Sequence, residues 1–212
     1  MDPDQLILVD KPIGITSFDV IRRLRKRLGN IKMGHAGTLD PLASGLMIIA
    51  LGKETKKLSE LLGLPKTYSA EIQFGIKTET GDSEGKIIEE KIVPTLSIDR
   101  IEKALQSLQG EHEFSVPLYS AIKRNGKPLY EYAREGISIE LPKKKMLVID
   151  SKCTNYVGSV ATVWFNVGSG TYIRTLAEEL AINLGTVAHL KSLRRLSIGD
   201  FNLTDKKIIS DL

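Results

Sequence analysis

Between Gly34 and Gly45 the chain reads Gly-His-Ala-Gly-Thr-Leu-Asp-Pro-Leu-Ala-Ser-Gly, with one acidic residue, Asp40, among small and apolar neighbours. A carboxylate in such company has two uses. It can fix a tight turn ahead of Pro41, a common role for an Asp-Pro pair. Otherwise it acts on a substrate. A second segment, Gly168-Ser-Gly-Thr-Tyr-Ile-Arg-Thr-Leu176, places Arg174 in the first turn of an expected helix. The macrodipole disfavours a cation there. A carboxylate partner would offset that cost, and an arginine fork paired with Asp40 would hold the carboxylate ionised and aimed. The alternative is an ordinary surface arginine. Tyr68 and Tyr172 are core aromatics on one reading. On the other they are flat faces for an unstacked nucleobase, a contact worth about 1–3 kcal/mol per base.

Other chemistries are poorly supplied. His35, His112 and His189 are widely spread, and no His, Cys and carboxylate grouping has metal-ligand spacing. Residues 34–37 look like a phosphate loop but lack the lysine and hydroxyl pattern of nucleotide-triphosphate sites. Ser44 lacks the flanking glycines of a nucleophile elbow. The lone Cys153 excludes an internal disulfide framework and fits a reducing compartment. No apolar run has bilayer-spanning length, and residues 1–5 are polar and acidic rather than signal-like. A cytoplasmic location is expected.

The 212 residues suit one sizeable domain, and a hydrophobic fraction of 42% is ordinary for a globular protein. A net charge of +4 is a weak pointer to a polyanionic partner. Its distribution says more. Arg22, Arg23, Arg25, Lys26 and Arg27 crowd one segment, Lys143 to Lys145 form a second cluster, and Lys191, Arg194 and Arg195 a third. Acidic residues gather elsewhere, within 79–90. The basic clusters either line a surface that tracks a phosphate backbone or are solvated faces.

The elements that must position these residues follow from pattern. Residues 6–10 read as a strand, and Thr16 or Ser17 caps a helix to about Leu28, ended by Gly29. The apolar run 46–51 reads as a buried strand, followed by a helix from Gly52 through about Leu62. Residues 67–76 alternate as a strand, 78–86 form a polar turn, and Ser97 caps a helix carrying Ile98, Ile101, Leu105 and Leu108, closed by Gly110. Residues 115–127 read as irregular and 129–134 as a short helix. Strands are expected at 137–141, 146–155 and 160–167, then a long helix over 172–184. A basic segment, 188–198, returns toward the core. Without a repeating βαβ rhythm, the fold class is α+β: a central mixed, mostly antiparallel sheet flanked by helices and loops.

The run around Asp40 resembles the signature motif of the tRNA pseudouridine-55 synthases, the TruB family. Four more blocks agree in order: Val9-Asp10-Lys11-Pro12 with Gly14 and Thr16-Ser17; Lys66-Thr67-Tyr68; Tyr119-Ser120-Ala121-Ile122-Lys123 with Gly126-Lys127 and Leu129-Tyr130; and Gly170-Thr171-Tyr172-Ile173-Arg174-Thr175-Leu176. Leu193-Arg194-Arg195-Leu196 closes the series. The resemblance implies isomerisation of a T-loop uridine of tRNA to pseudouridine, with base flipping and without cofactor, metal or redox change. It makes Asp40 the nucleophile, Arg174 its partner, and Tyr68 the catalytic tyrosine that stacks on the flipped base and can assist proton transfer. Tyr172 and Leu193 match residues lining the uracil pocket. His35 matches a histidine that helps rearrange the RNA loop, and Lys11 a lysine near the cleft. Arg195 in the closing block is expected on the substrate-binding side.

Two departures stand out. The family's Gln-x-Pro-Pro appears as Ser115-Val116-Pro117-Leu118, and the chain stops at Leu212, where many members continue into a PUA domain. Residues 1–212 are therefore expected to form one catalytic domain lacking that appendage, acting as a monomer on the T-arm stem-loop, with no membrane partner. Two alternatives carry the same motifs. One is a tRNA-folding chaperone whose catalysis is dispensable. The other, a guide-dependent dyskerin-like synthase, is disfavoured because no extended tail or extra basic domain is present.

Overall fold

The apolar run before Gly52 sets the centre of the molecule. Every residue of Ser44–Leu51 is buried, as a strand covered on both sheet faces requires. In the computed structural model, which describes residues 4–205 and 208–210, the chain opens with β1 (Leu6–Lys11), α1 (Ser17–Leu28), β2 (Met33–His35) and β3 (Ser44–Leu51). Then come α2 (Leu58–Gly63), β4 (Lys66–Phe74), β5 (Ile76–Thr78), β6 (Ile87–Glu90), α3 (Ile98–Gln106) and β7 (Gly110–Ser115). The second half holds β8 (Lys123–Arg124), β9 (Lys127–Pro128), α4 (Leu129–Arg134), β10 (Lys143–Val157), β11 (Val160–Val167) and α5 (Ile173–Leu184). It ends with β12 (Ala188–Ile198), β13 (Phe201–Asn202) and β14 (Ile208–Ile209).

One ten-stranded sheet dominates, in the order β14-β1-β3-β12-β4-β11-β10-β7, with β2 beside β3 and β13 beside β12. Its pairs are antiparallel except β1 with β14 and β3 with β12. The expected α+β class and mixed, mostly antiparallel sheet are what the chain adopts. On one face, α1, α3 and α5 supply Val20, Leu24, Ile101, Leu105, Leu176 and Leu180 to a core completed by Val9, Ile49, Ile72 and Phe165. On the other, Leu8, Leu46, Ile48, Leu61 and Ile198 form a smaller cluster.

Local signals explain the elements that the pattern located. Thr16 caps α1 through a capping box with Asp19, and Gly29 closes it with φ +83°. Ser97 caps α3 in the same side-chain manner. Elsewhere the chain differs from expectation. Residues 52–57 form a 3-10 helix before α2, not one continuous α-helix. No strand forms over 137–141, where Ile137 is exposed and the sheet edge is instead extended by β7. The basic segment 188–198 is itself a strand in mid-sheet, between β3 and β4. No helix among the described residues is long and apolar enough to cross a membrane.

The parallel pairing of β3 with β12 is what positions the loop ahead of it. Arg195 stands opposite Gly45, and a Cβ on Gly45 would lie 2.2 Å from the Arg195 carbonyl oxygen. Gly45 also has φ +110°, which L side chains rarely adopt. Only glycine lets these strands approach, and the loop carrying Asp40 runs directly into this junction.

Candidate active site

Asp40 fixes a turn with its backbone and leaves its carboxylate free of that turn. Its backbone carbonyl accepts a hydrogen bond from the Ala43 amide at 3.0 Å, closing a turn with Pro41 in it. Its carboxylate takes no part in that turn and pairs with Arg174, Nη2 to Oδ2 3.1 Å. The Arg174 side chain is 6% exposed and that of Asp40 38%. The cation is sealed behind, and the carboxylate faces open space.

Arg174 sits in the first turn of α5, a helix whose start has no side-chain cap and no acidic residue of its own. Charges from elsewhere compensate it. Besides Asp40, Asp82 approaches its Nε at 3.9 Å, and the fork donates to the Thr80 carbonyl at 2.8 Å and the Tyr119 carbonyl at 2.9 Å. Sequence reasoning missed Asp82, because its stretch was set apart as an acidic turn remote from the basic clusters. Its Oδ1 accepts from Thr80 Oγ1 and from the Glu84 amide at 3.1 Å, an Asx turn that leaves Oδ2 toward Arg174. The legible signal was an aspartate beside Gly81 in a tight turn, the same kind of setting as Asp40.

A cavity of about 270 Å³ opens over the ion pair, lined among others by Asp40, Tyr68, Tyr172, Arg174, Leu193 and Arg195. Tyr68 extends from β4 and Leu193 from neighbouring β12, both buried. Tyr172 immediately precedes α5, and burial pushes its phenol above the ordinary value. The Lys144 ammonium lies 6.0 Å from the Tyr172 ring and donates to the Gly170 carbonyl at 3.1 Å. Five residues expected in one site, Tyr68, Tyr172, Arg174, Leu193 and Arg195, thus share one cavity with Asp40.

Lys11 and His35 lie outside the cavity wall, and Arg195 reaches it from a buried position. Lys11 has 0% exposure and is not in the cavity wall. Its Nζ donates to the carbonyls of Pro12 (2.9 Å), Ile15 (2.7 Å) and Pro41 (3.4 Å). Arg195 borders the cavity but is 1% exposed, with Nε on the Leu46 carbonyl at 2.7 Å and Nη2 on the Gly37 carbonyl at 3.1 Å. Lys66, to which its motif assigns no role, holds the Leu62 and Leu64 carbonyls at 3.0 and 2.6 Å. Buried backbone carbonyls need donors, and long cations reach them. Lys11 and Arg195 therefore anchor the Asp40 loop from beneath, Lys11 through the Pro41 carbonyl and Arg195 through those of Gly37 and Leu46. Arg194, from the same basic cluster, pairs with Asp10, Nη2 to Oδ2 2.6 Å.

These buried cations shape the local electrostatics. Desolvation pulls Lys11 and Lys66 each down to about 8, with Asp40 opposing the fall at Lys11 and Arg195 reinforcing it at Lys66. His35, on β2, is half-buried and outside the cavity wall. Burial and then the Arg195 charge push its imidazole below the usual range, so it is neutral near pH 7. Glu84 moves upward, through burial and then the charges of Asp82 and Asp40. Among the described residues no three His, Cys, Asp or Glu side chains are grouped to hold a metal ion.

The chain is similar to known proteins over most of its length. Residues 25–173, a span holding Asp40 and Tyr68, match the model of the TruB family pseudouridylate synthase (N terminal domain). The tRNA pseudouridine synthase B of Caldicellulosiruptor saccharolyticus is 48% identical over 200 residues, covering 93% of this chain and 68% of the relative. That of Bordetella avium is 40% identical over 210 residues, covering 98% and 86%. Among solved structures, a chain described under "Crystal Structure of a Cbf5-Nop10-Gar1 Complex" superposes with a TM-score of 0.76 at 28% identity. The match covers 98% of this chain and 52% of that one, so the chain spans about half the length of that solved relative. With the family model matched over most of its length, and curated relatives at these identities, the chain belongs to the TruB family of pseudouridylate synthases, which are isomerases.

Proposed function

We propose that this chain converts a uridine of tRNA to pseudouridine, at position 55 in the T-loop, with Asp40 as nucleophile. One observation carries the reading: the Asp40 carboxylate, held by a buried Arg174, faces a cavity bounded by Tyr68, Tyr172 and Leu193. The cavity is small against the roughly 300–1,000 Å³ of drug-sized sites, which suits one pyrimidine base. The names of the curated relatives support tRNA as substrate. The motif resemblance supports the T-loop position.

The reaction breaks the bond from uracil N1 to the sugar and forms one from C5. The proton leaving C5 is balanced by one gained at N1. Substrate and product contain the same atoms, so no oxidant, reductant or group donor is consumed. Asp40 acts on the nucleotide once the base has left its stack, a step that costs a few kcal/mol. Arg174 keeps the carboxylate charged and oriented, and its own position is fixed by the Thr80 and Tyr119 carbonyls. Tyr68 offers its ring to the extruded base. Leu39 and Leu193 line the same cavity as apolar wall and limit water that would trap a broken glycosidic bond.

The test is incubation with an unmodified T-arm stem-loop RNA in buffer without cofactor, followed by chemical mapping of pseudouridine. The reading predicts modification at position 55 of the T-loop and at no other uridine. Modification elsewhere, or none, overturns it.

A further inference from the structure

The start of α1 carries an aromatic ring that the fold does not use. Val20, Ile21 and Leu24 point into the core, while Phe18 is 55% exposed and Ile13, in the loop before it, 65%. Scattered exposed apolar residues are ordinary, so the placement decides. Ser17, adjacent to Phe18, exchanges two hydrogen bonds with Leu39: its Oγ donates to the Leu39 carbonyl at 3.0 Å and accepts from the Leu39 amide at 2.8 Å. The Gly14 amide donates to the Pro41 carbonyl at 2.9 Å, and Lys11 reaches the same oxygen. The segment bearing Ile13 and Phe18 is thus tied to the chain on both sides of Asp40. The capping box of Thr16 and Asp19 fixes the backbone at Phe18.

The surroundings of the ring are cationic. Arg22, one turn on, lies 5.9 Å from the Phe18 ring centroid, and Arg22, Arg23 and Lys26 are all exposed. Asp19, the acidic group of this turn, is engaged by Thr16 and Arg22. An exposed aromatic with an arginine beside it, amid positive charge, matches the way proteins hold unpaired nucleotides: a stacking face within a cationic surface. Charge complementarity and continuity with the catalytic loop both favour RNA as its occupant.

We propose that Phe18, flanked by Ile13 and Arg22, is a stacking platform for an unpaired base of the RNA substrate, close to the base drawn into the cavity. The platform rests on the RNA reading above and adds a second binding element to it. Stacking tolerates any base, so the platform strengthens binding and fixes the loop without reading sequence.

The test measures the affinity of the whole chain for an unmodified T-arm stem-loop over a range of salt concentrations, for wild type, Phe18→Ala and Phe18→Trp. Phe18→Ala should bind on the order of 10-fold more weakly, and Phe18→Trp within about 3-fold of wild type, since the ring is retained. The salt slope should stay unchanged, because no cation is removed from the phosphate backbone. Thermal midpoints should match, as expected for an exposed site. Equal binding by Phe18→Ala, equal weakness of the Trp variant, or weaker binding accompanied by a shallower salt slope overturns the platform. Pseudouridine formed by the wild type is scored in the same samples. Its absence, with Phe18-dependent binding intact, removes the reaction and keeps the platform; the reverse result removes only the platform.

Discussion

Arg174 is the residue on which the site's geometry converges, holding Asp40, approaching Asp82 and reaching two carbonyls from one planar fork. A lysine carries the same charge but cannot match that set of directions. Arg174→Lys should lower single-turnover pseudouridine formation by about 100-fold or more, and Arg174→Ala should also cost about 3–5 kcal/mol of stability by stranding Asp82. A wild-type rate for Arg174→Lys would mean the fork is not used. The buried lysines make a prediction about pH. Lys11 and Lys66 fall to about 8 in the fold from an ordinary 10.5, so between those values the unfolded chain binds more protons than the native one. Stability therefore rises with pH across that window, by at most about 1.4 kcal/mol per pH unit for each lysine. Urea unfolding of wild type and Lys66→Met between about pH 7.5 and 9.5 checks this. The wild-type curve should climb relative to the variant, and parallel curves would contradict it.

At the scale of elements, the junction of β3 and β12 transmits fold to site. Gly45→Ala would press a methyl group onto the Arg195 backbone and force φ +110° on an L side chain. It should cost on the order of 3 kcal/mol, a thermal midpoint lower by roughly 6–12 °C. Gly34→Ala should cost less, since its Cβ would meet only the movable end of Leu58. The elements written in local chemistry were legible in the sequence: α1 from its capping hydroxyl and closing Gly29, β3 from its apolar run, β4 from its alternation. Those resting on distant partners were not. Strand β12 buries Arg195 in its core-facing alternation, so the charge masks the period, and β7 is a polar edge strand, Gly-Glu-His-Glu-Phe-Ser. The same logic applies to the site. Asp40, Arg174, Tyr68, Tyr172 and Leu193 were readable from their motifs. That Lys11 and Arg195 support the loop from below depends on which carbonyls the tertiary fold buries, and a sequence does not display that.

Across the whole molecule, one mixed sheet holds every strand that feeds the cavity, with β1, β3, β12 and β4 side by side. The basic clusters divide by burial. Arg195 is internal, Arg194 pairs with Asp10, and Arg22, Arg23 and Lys26 face solvent from α1, whose start is tied to the catalytic loop. Replacing Arg22, Arg23 and Lys26 by alanine should weaken RNA binding and flatten its salt dependence by about one unit of log–log slope for each phosphate no longer neutralised. An unchanged slope would mark this as a merely solvated face. The central claim concerns Asp40 and is tested most directly by Asp40→Asn, which keeps the turn-forming backbone and the side-chain shape while removing the charge. Single-turnover mapping of pseudouridine in a T-arm stem-loop, beside an affinity measurement on the same RNA, should show binding within about 3-fold of wild type (~0.7 kcal/mol) and no product. Pseudouridine formed by Asp40→Asn at the wild-type rate would contradict the assignment of Asp40 as nucleophile.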